Sequence, residues 1–166
     1  MAERVVLSLG ANVGDSVATL RDAVSDLGRI LGDLRVSSLY VTKPQGGVEQ
    51  RDFHNIAVSG DFAGTPRALL GEINRIEAAH GRNRAKETLK GPRSLDIDIV
   101  LFGSRVVREA DLAIPHERMV ERQFVLVPLL ELHPDSADPV TGERFGALLR
   151  MLPDQGVVKA GSLYGN

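Results

Sequence analysis

The chain has 166 residues, 43% hydrophobic and 25% charged, which suits one domain, assigned to residues 1–166, with one sizeable core. A formal net charge of −2 argues against a general nucleic-acid or anionic-membrane binder, and the absence of cysteine excludes disulfides and thiolate metal sites. No apolar run approaches a membrane span, and Met1-Ala-Glu-Arg4 runs straight into Val5-Val-Leu7, so no signal peptide is expected and the reducing cytoplasm is the expected location.

Residues 5–9 predict a strand, and Gly10-Ala-Asn-Val-Gly14 a turn. Asp15 or Ser16 caps a helix to about residue 31, where Val17, Leu20, Val24, Leu27 and Leu31 recur at helical spacing. Residues 34–40 predict a second strand. Residues 42–51 carry Pro44 and Gly46-Gly47 and predict a loop; residues 53–62 predict a third strand, hairpin partner of the second. Pro66 opens a second helix with the stripe Leu69, Leu70, Ile73 and Ile76. Residues 81–92 form a basic loop, 95–102 a fourth strand, and Val106-Val107 a short edge. Helices are predicted over 123–132, despite Pro128, and over 145–152. This is the order of a ferredoxin-like βαββαβ core, an α+β fold with a mixed C-terminal extension. It predicts a mainly antiparallel sheet with helices packed on one face and the other face open to ligands.

Strand alternation sends Leu95, Ile97, Ile99 and Leu101 to one face and Asp96, Asp98 and Val100 to the other. The two carboxylates then lie about 7 Å apart on one face. Like charges so placed repel, and a hard divalent cation, Mg²⁺ or Mn²⁺, is one reason to keep them. By pattern alone the Asp-x-Asp string equally suits a solvated strand face. Arg93, in a Gly-Pro turn three residues earlier, and Arg82 and Arg84 supply guanidinium groups of the kind that neutralise a transferring phosphoryl group. Phe53 and Asn55 share a strand face, and a ring with an amide suits a flat heteroaromatic ligand. By spacing alone they equally suit a core position and a turn. His116, set by Pro115, and Phe124, after Arg122, are open to the same two readings.

Several blocks together resemble the 6-hydroxymethyl-7,8-dihydropterin pyrophosphokinase family of folate biosynthesis. They are Leu7-Ser-Leu-Gly-Ala-Asn-Val-Gly-Asp15, Phe53-His-Asn-Ile-Ala57, Glu77, Gly81-Arg-Asn-Arg84, Gly91-Pro-Arg-Ser-Leu-Asp-Ile-Asp98, Ile114-Pro-His116 and Arg122-Gln-Phe-Val-Leu-Val-Pro-Leu129. The likeness runs from residue 5 to about 132, and Gly-Pro-Arg-x-Leu-Asp-x-Asp is its most specific string. It implies transfer of the β,γ-diphosphate of ATP to the pterin hydroxymethyl group, with AMP leaving. It also implies two Mg²⁺ ions on Asp96 and Asp98, and Arg82 and Arg93 on the moving phosphates. Phe53 and Phe124 would sandwich the pterin ring, Asn55 would pair with its edge, and Thr42, Pro44 and Gly46 would complete recognition. Asn74, Glu77, Arg84, Lys90, Ile99, His116 and Arg122 fall around ATP. The loops 43–52 and 82–90 would act as lids. Small-molecule substrates, no nucleic-acid or membrane partner, and a monomer are expected.

The chain departs from the family pattern in places. Lys90 stands where many members carry Trp, Lys43 where many carry Pro, and Asp111 where some offer ATP a basic residue. Two other classes compete. An RNA-binding module of the same topology would stack bases on sheet aromatics, but only 4% of residues are aromatic. A two-metal nuclease or phosphatase would need no pterin.

Overall fold

The computed structural model describes residues 2–43, 52–81 and 94–165. The apolar sequence at the N-terminus builds β1 (Glu3–Ala11), the innermost strand of the site-bearing half of the sheet. Asp15 caps α1 (Ser16–Leu27) by accepting from the Ala18 N–H at 3.1 Å. There follow β2 (Gly32–Val36), β3 (Tyr40–Thr42) and β4 (Phe53–Phe62). Thr65 caps α2 (Pro66–Ala79), accepting from the Ala68 N–H at 3.0 Å, with Pro66 at the first helical position. Then come β5 (Asp96–Phe102), β6 (Val107–Glu109), β7 (Leu112–Ile114), a 3-10 turn over Met119–Glu121, α3 (Gln123–Leu132), α4 (Phe145–Arg150) and β8 (Val158–Lys159).

The main sheet runs β5-β1-β4-β3-β8, with β2 also paired to β4, and every pairing is antiparallel. Counting β2 and β3 as one interrupted strand gives the expected ferredoxin-like order. The interruption is a correction to the single strand predicted over 34–40. At the break the Ser37 hydroxyl accepts the Ala57 N–H at 2.8 Å in place of a ladder carbonyl. A second correction concerns α1, which ends at Leu27 rather than near residue 31. Leu31 leaves the helix yet stays 5% exposed, packed against Gly60, where any Cβ would lie 2.8 Å from that of Leu31. A third concerns the short edge at Val106-Val107: β6 pairs with β7 in a separate two-stranded sheet.

The expectation of one covered face is overturned. One face carries Leu7, Leu9, Ile56, Val58, Ile97 and Ile99 under α1 and α2. The opposite face carries Val6, Val100 and Leu101, packed under Val125, Leu126 and Leu129 of α3 and Phe145 of α4. The sequence Gln-Phe-Val-Leu-Val-Pro-Leu-Leu-Glu-Leu is apolar nearly all round, as a helix buried between sheet and neighbour must be. Leu101 also departs from its predicted face. The β1 pairing steps from Leu7↔Ile99 to Val6↔Leu101, a bulge at Val100 that turns both Val100 and Leu101 toward the second core.

The C-terminal extension belongs to the fold. Phe145 is fully buried in the second core, β8 lengthens the sheet beside β3, and Leu163 enters the first core. Arg21 of α1 donates to the Leu163 carbonyl at 2.9 Å, fastening the end of the described chain.

Candidate active site

Because α3 covers only part of the second face, the rest of that face is left for chemistry. The register lines up Asp96, Gly10, Asn55 and Tyr40 across β5, β1, β4 and β3. Directly opposed residues share a face, so Asp96 and Asn55 look the same way, about 10 Å apart across two strand spacings. Asp98 stands opposite Ser8 in the next row of the same face. Alternation therefore does what the sequence predicts: Ile97 and Ile99 enter the first core while Asp96 and Asp98, both half-buried, face away from it.

Gly10 separates the carboxylate from the amide. A Cβ there would lie 2.9 Å from Asn55 Oδ1, so the amide oxygen overhangs the space that only glycine leaves open. Asn55 is 4% exposed, and its Nδ2 donates to the buried Thr42 Oγ1 at 2.8 Å. Thr42 thus holds the amide in place. Phe53, two residues before Asn55, is half-buried on the same face.

Beside the outer edge of β5 lies a cavity of about 760 Å³. Asn74 and Glu77 of α2, Ile97 to Ile99 of β5, the β6–β7 hairpin, and His116, Arg118 and Arg122 line it. Asp98 opens onto it, which joins the carboxylate row to the cavity. The cis Ile114–Pro115 bond precedes His116, whose N–H donates to the Val100 carbonyl at 3.2 Å and fastens it to the strand edge. The Arg118 N–H donates to His116 Nδ1 at 3.2 Å. The neutral ring therefore carries its proton on Nε2, which lies 3.9 Å from Asp98 Oδ2. Burial, reinforced by the Arg122 charge, lowers the His116 pKa below its ordinary 6.5. The imidazole is thus a neutral donor at pH 7.

Arg122 has its guanidinium 5.5 Å over the ring of half-buried Phe124. Burial and the repulsion of Arg118 lower its pKa, while Asp98 and Asp96 oppose the shift, and it remains a cation at neutral pH. Glu77 is 2% exposed, and its Oε2 accepts the Ile97 N–H at 2.8 Å. This ties α2 to the start of β5, a role that sequence spacing could not show. Glu77→Gln keeps an acceptor but loses charge assistance, and is expected to lower stability by about 1 kcal/mol, read by urea unfolding.

Asp111 does not offer ATP a cation. It pairs with Arg67 at 2.8 Å, and Glu109 pairs with the same guanidinium, so α2 holds the hairpin that closes the cavity. Burial also lowers the His133 pKa. For a histidine with a lowered folded pKa, stability is full above the unfolded value and falls as pH drops below about 6.5. His116→Gln is therefore expected to flatten part of the stability loss as pH falls below about 6.5, with His133 contributing in the same direction, measured by urea unfolding at stepped pH.

Among the predicted site residues, Thr42, Phe53, Asn55, Asp96 and Asp98 meet on the sheet face, and Phe124 flanks the second core. Asn74, Glu77, Asp98, Ile99, His116 and Arg122 meet around the cavity. Pro44, Gly46, Arg82, Arg84, Lys90 and Arg93, and with them most of both predicted lids, lie outside the described residues. Two contributors have no local signal in the sequence: Gly10, which falls within the turn predicted over residues 10–14 but lies in β1, and the Arg67 clamp.

Residues 6–134 match the family described as 7,8-dihydro-6-hydroxymethylpterin-pyrophosphokinase (HPPK). The chain belongs to this family. A 2-amino-4-hydroxy-6-hydroxymethyldihydropteridine pyrophosphokinase of Methylorubrum extorquens is 40% identical over 157 residues, covering 93% of this chain and 96% of that one. The protein of that name from Aquifex aeolicus is 36% identical, covering 82% and 84%. The folic acid synthesis protein fol1 of Pneumocystis carinii is 35% identical over 93% of this chain, which spans only 21% of the fungal protein. The HPPK-DHPS structure of Plasmodium falciparum superposes with a TM-score of 0.71 at 18% identity, over 90% of this chain and 44% of that one, a likeness of fold alone. The Asp96–Gly10–Asn55 row and the residues lining the β5-edge cavity lie within the 6–134 stretch that matches the family. No helix among the described residues is long and apolar enough to cross a membrane.

Proposed function

We propose that the chain transfers the β,γ-diphosphate of ATP to the hydroxymethyl group of 6-hydroxymethyl-7,8-dihydropterin in folate biosynthesis, releasing AMP. Family membership supports the reaction class. One geometric observation carries the residue assignment: the carboxylate row ends at a buried amide on one side and opens into the edge cavity on the other. A flat ring on the Asn55 side and a nucleotide in the cavity would bring their reacting ends together over Asp96 and Asp98.

Phe53 and Phe124 bound the pterin side, and the Asn55 oxygen accepts from the ring edge while Thr42 fixes the amide. Pro44 and Gly46 complete this side. In the cavity, Arg122 and the neutral His116 contact phosphate oxygens, with Asn74, Glu77 and Ile99 around the rest of the nucleotide. Arg82 and Arg93 neutralise the moving diphosphate, and Arg84 and Lys90 are assigned to ATP. The pterin hydroxyl oxygen attacks the β-phosphorus, the bond to the bridging oxygen breaks, and AMP keeps that oxygen. The hydroxyl proton leaves to solvent.

The donor set at Asp96 and Asp98 is oxygen only, which fits Mg²⁺. Among the described residues no group of three or more His, Cys, Asp or Glu side chains forms a metal cage. Mg²⁺ suits such a site because it takes one or two carboxylates and completes its shell with water and phosphate. Two Mg²⁺ ions held there would lower the hydroxyl pKa and offset charge on the triphosphate. A monomer in the cytoplasm is the expected working form. Phosphorus NMR of the products tests the reaction. Two coupled resonances for a pterin diphosphate, with one for AMP, are expected; ADP with a monophosphorylated pterin would refute it.

A further inference from the structure

The α3 helix starts at Gln123, directly after Arg122, and Arg122 makes no side-chain capping bond. The first N–H groups of a helix need acceptors from elsewhere. The acceptor for Gln123 comes from 32 residues away: the Gln155 Oε1 takes the Gln123 N–H at 2.9 Å. The bond is returned, since Gln123 Oε1 takes the Gln155 N–H at 2.8 Å. A third bond runs from Gln155 Nε2 to the Glu121 carbonyl at 2.8 Å. The backbone is therefore pinned on both sides of Arg122.

Gln155 is itself held. Asp154 Oδ1 accepts the Gly156 N–H at 2.9 Å, and Gly156 takes a φ of 77°, so a tight turn presents the glutamine. Ten residues earlier, Phe145 anchors the extension in the same core as Leu126 and Leu129 of α3. The family match stops at residue 134, so Gln155 lies beyond it while Gln123 and Glu121 lie within it.

We propose that Gln155 is a positioning residue for Arg122, through which the C-terminal extension sets the cation at the nucleotide cavity. The inference rests on the proposed role of Arg122 toward ATP. Without the clasp, the start of α3 loses three hydrogen bonds, and the guanidinium loses its fixed place between Phe124 and the cavity. The test is a double-mutant cycle on binding of α,β-methylene-ATP with Mg²⁺, measured by calorimetry for the full chain, Gln155→Ala, Arg122→Ala and the double variant. Gln155→Ala is expected to weaken binding about fivefold and Arg122→Ala at least about tenfold, with the double variant matching Arg122→Ala alone. Gln155→Glu keeps the acceptor for Gln123, loses the donor to Glu121, and is expected to fall between wild type and Gln155→Ala, which reads the clasp even if the alanine variant folds poorly. Gln155→Ala within twofold of wild type, beside a large Arg122→Ala loss, would overturn the positioning role and leave the site reading intact. Equal losses from Gln155→Ala in both backgrounds would also overturn it, because the effect would not pass through Arg122. An Arg122→Ala protein that binds like wild type would overturn the nucleotide role of Arg122 and the positioning role with it.

Discussion

Asp96→Ala and Asp98→Ala are each expected to lower kcat by at least about a thousandfold, with the thermal midpoint staying within about 5 °C of wild type. Both side chains lie on the face opposite the first core, and each is half-buried. Little packing is lost on truncation, and a like-charge repulsion is removed. The chemistry should suffer because a diphosphate in flight carries charge that two arginines alone do not balance. Asp98 opens onto the cavity and lies 3.9 Å from His116, whereas Asp96 lies in the row of Asn55. Asp98→Ala should therefore weaken ATP-analogue binding more than Asp96→Ala does. Steady-state AMP release and thermal denaturation check the pair. Loss of folding in step with loss of rate would assign the two carboxylates to structure instead.

Gly10→Val is expected to weaken pterin binding by at least about a hundredfold, and Gly10→Ala by about tenfold, with ATP-analogue binding nearly unchanged. Even the alanine Cβ would reach to 2.9 Å from Asn55 Oδ1. Asn55 has little room to yield, since it is buried and its Nδ2 is bound to Thr42. Valine adds two branches across the floor between Asn55 and Asp96. The β5-edge cavity has no Gly10 in its lining, so the two substrates should separate cleanly in this variant. Fluorescence titration of the pterin and calorimetry of α,β-methylene-ATP measure the two affinities independently. Equal loss of both would mean that Gly10 supports the sheet and not the ring site.

The carboxylate pair was legible because strand alternation is local: Ile97 and Ile99 needed a core, and that alone turned Asp96 and Asp98 outward. The same rule failed at Leu101, because the bulge at Val100 is imposed by pairing with β1 and leaves no mark in the strand's own residues. The span of α3 follows from the sequence, and its own residues are apolar nearly all round, as in a helix covered on both sides. That pattern was the signal for a second core. Gly10 read as a turn residue because its neighbours Asp96 and Asn55 lie 86 and 45 positions away in the chain. Glu77 and Gln155 act through backbone groups 20 and 32 residues distant, contacts that no periodicity encodes. The pterin, by contrast, came from family motifs, since Phe53 and Asn55 alone suit any flat polar ring.

The most direct measurement is AMP formation from ATP and Mg²⁺ with and without 6-hydroxymethyl-7,8-dihydropterin. AMP should appear only when the pterin is present, in equal amount to the pterin diphosphate, and should vanish in Asp98→Ala. AMP or inorganic phosphate released at the same rate without the pterin would contradict a diphosphate transfer to that substrate.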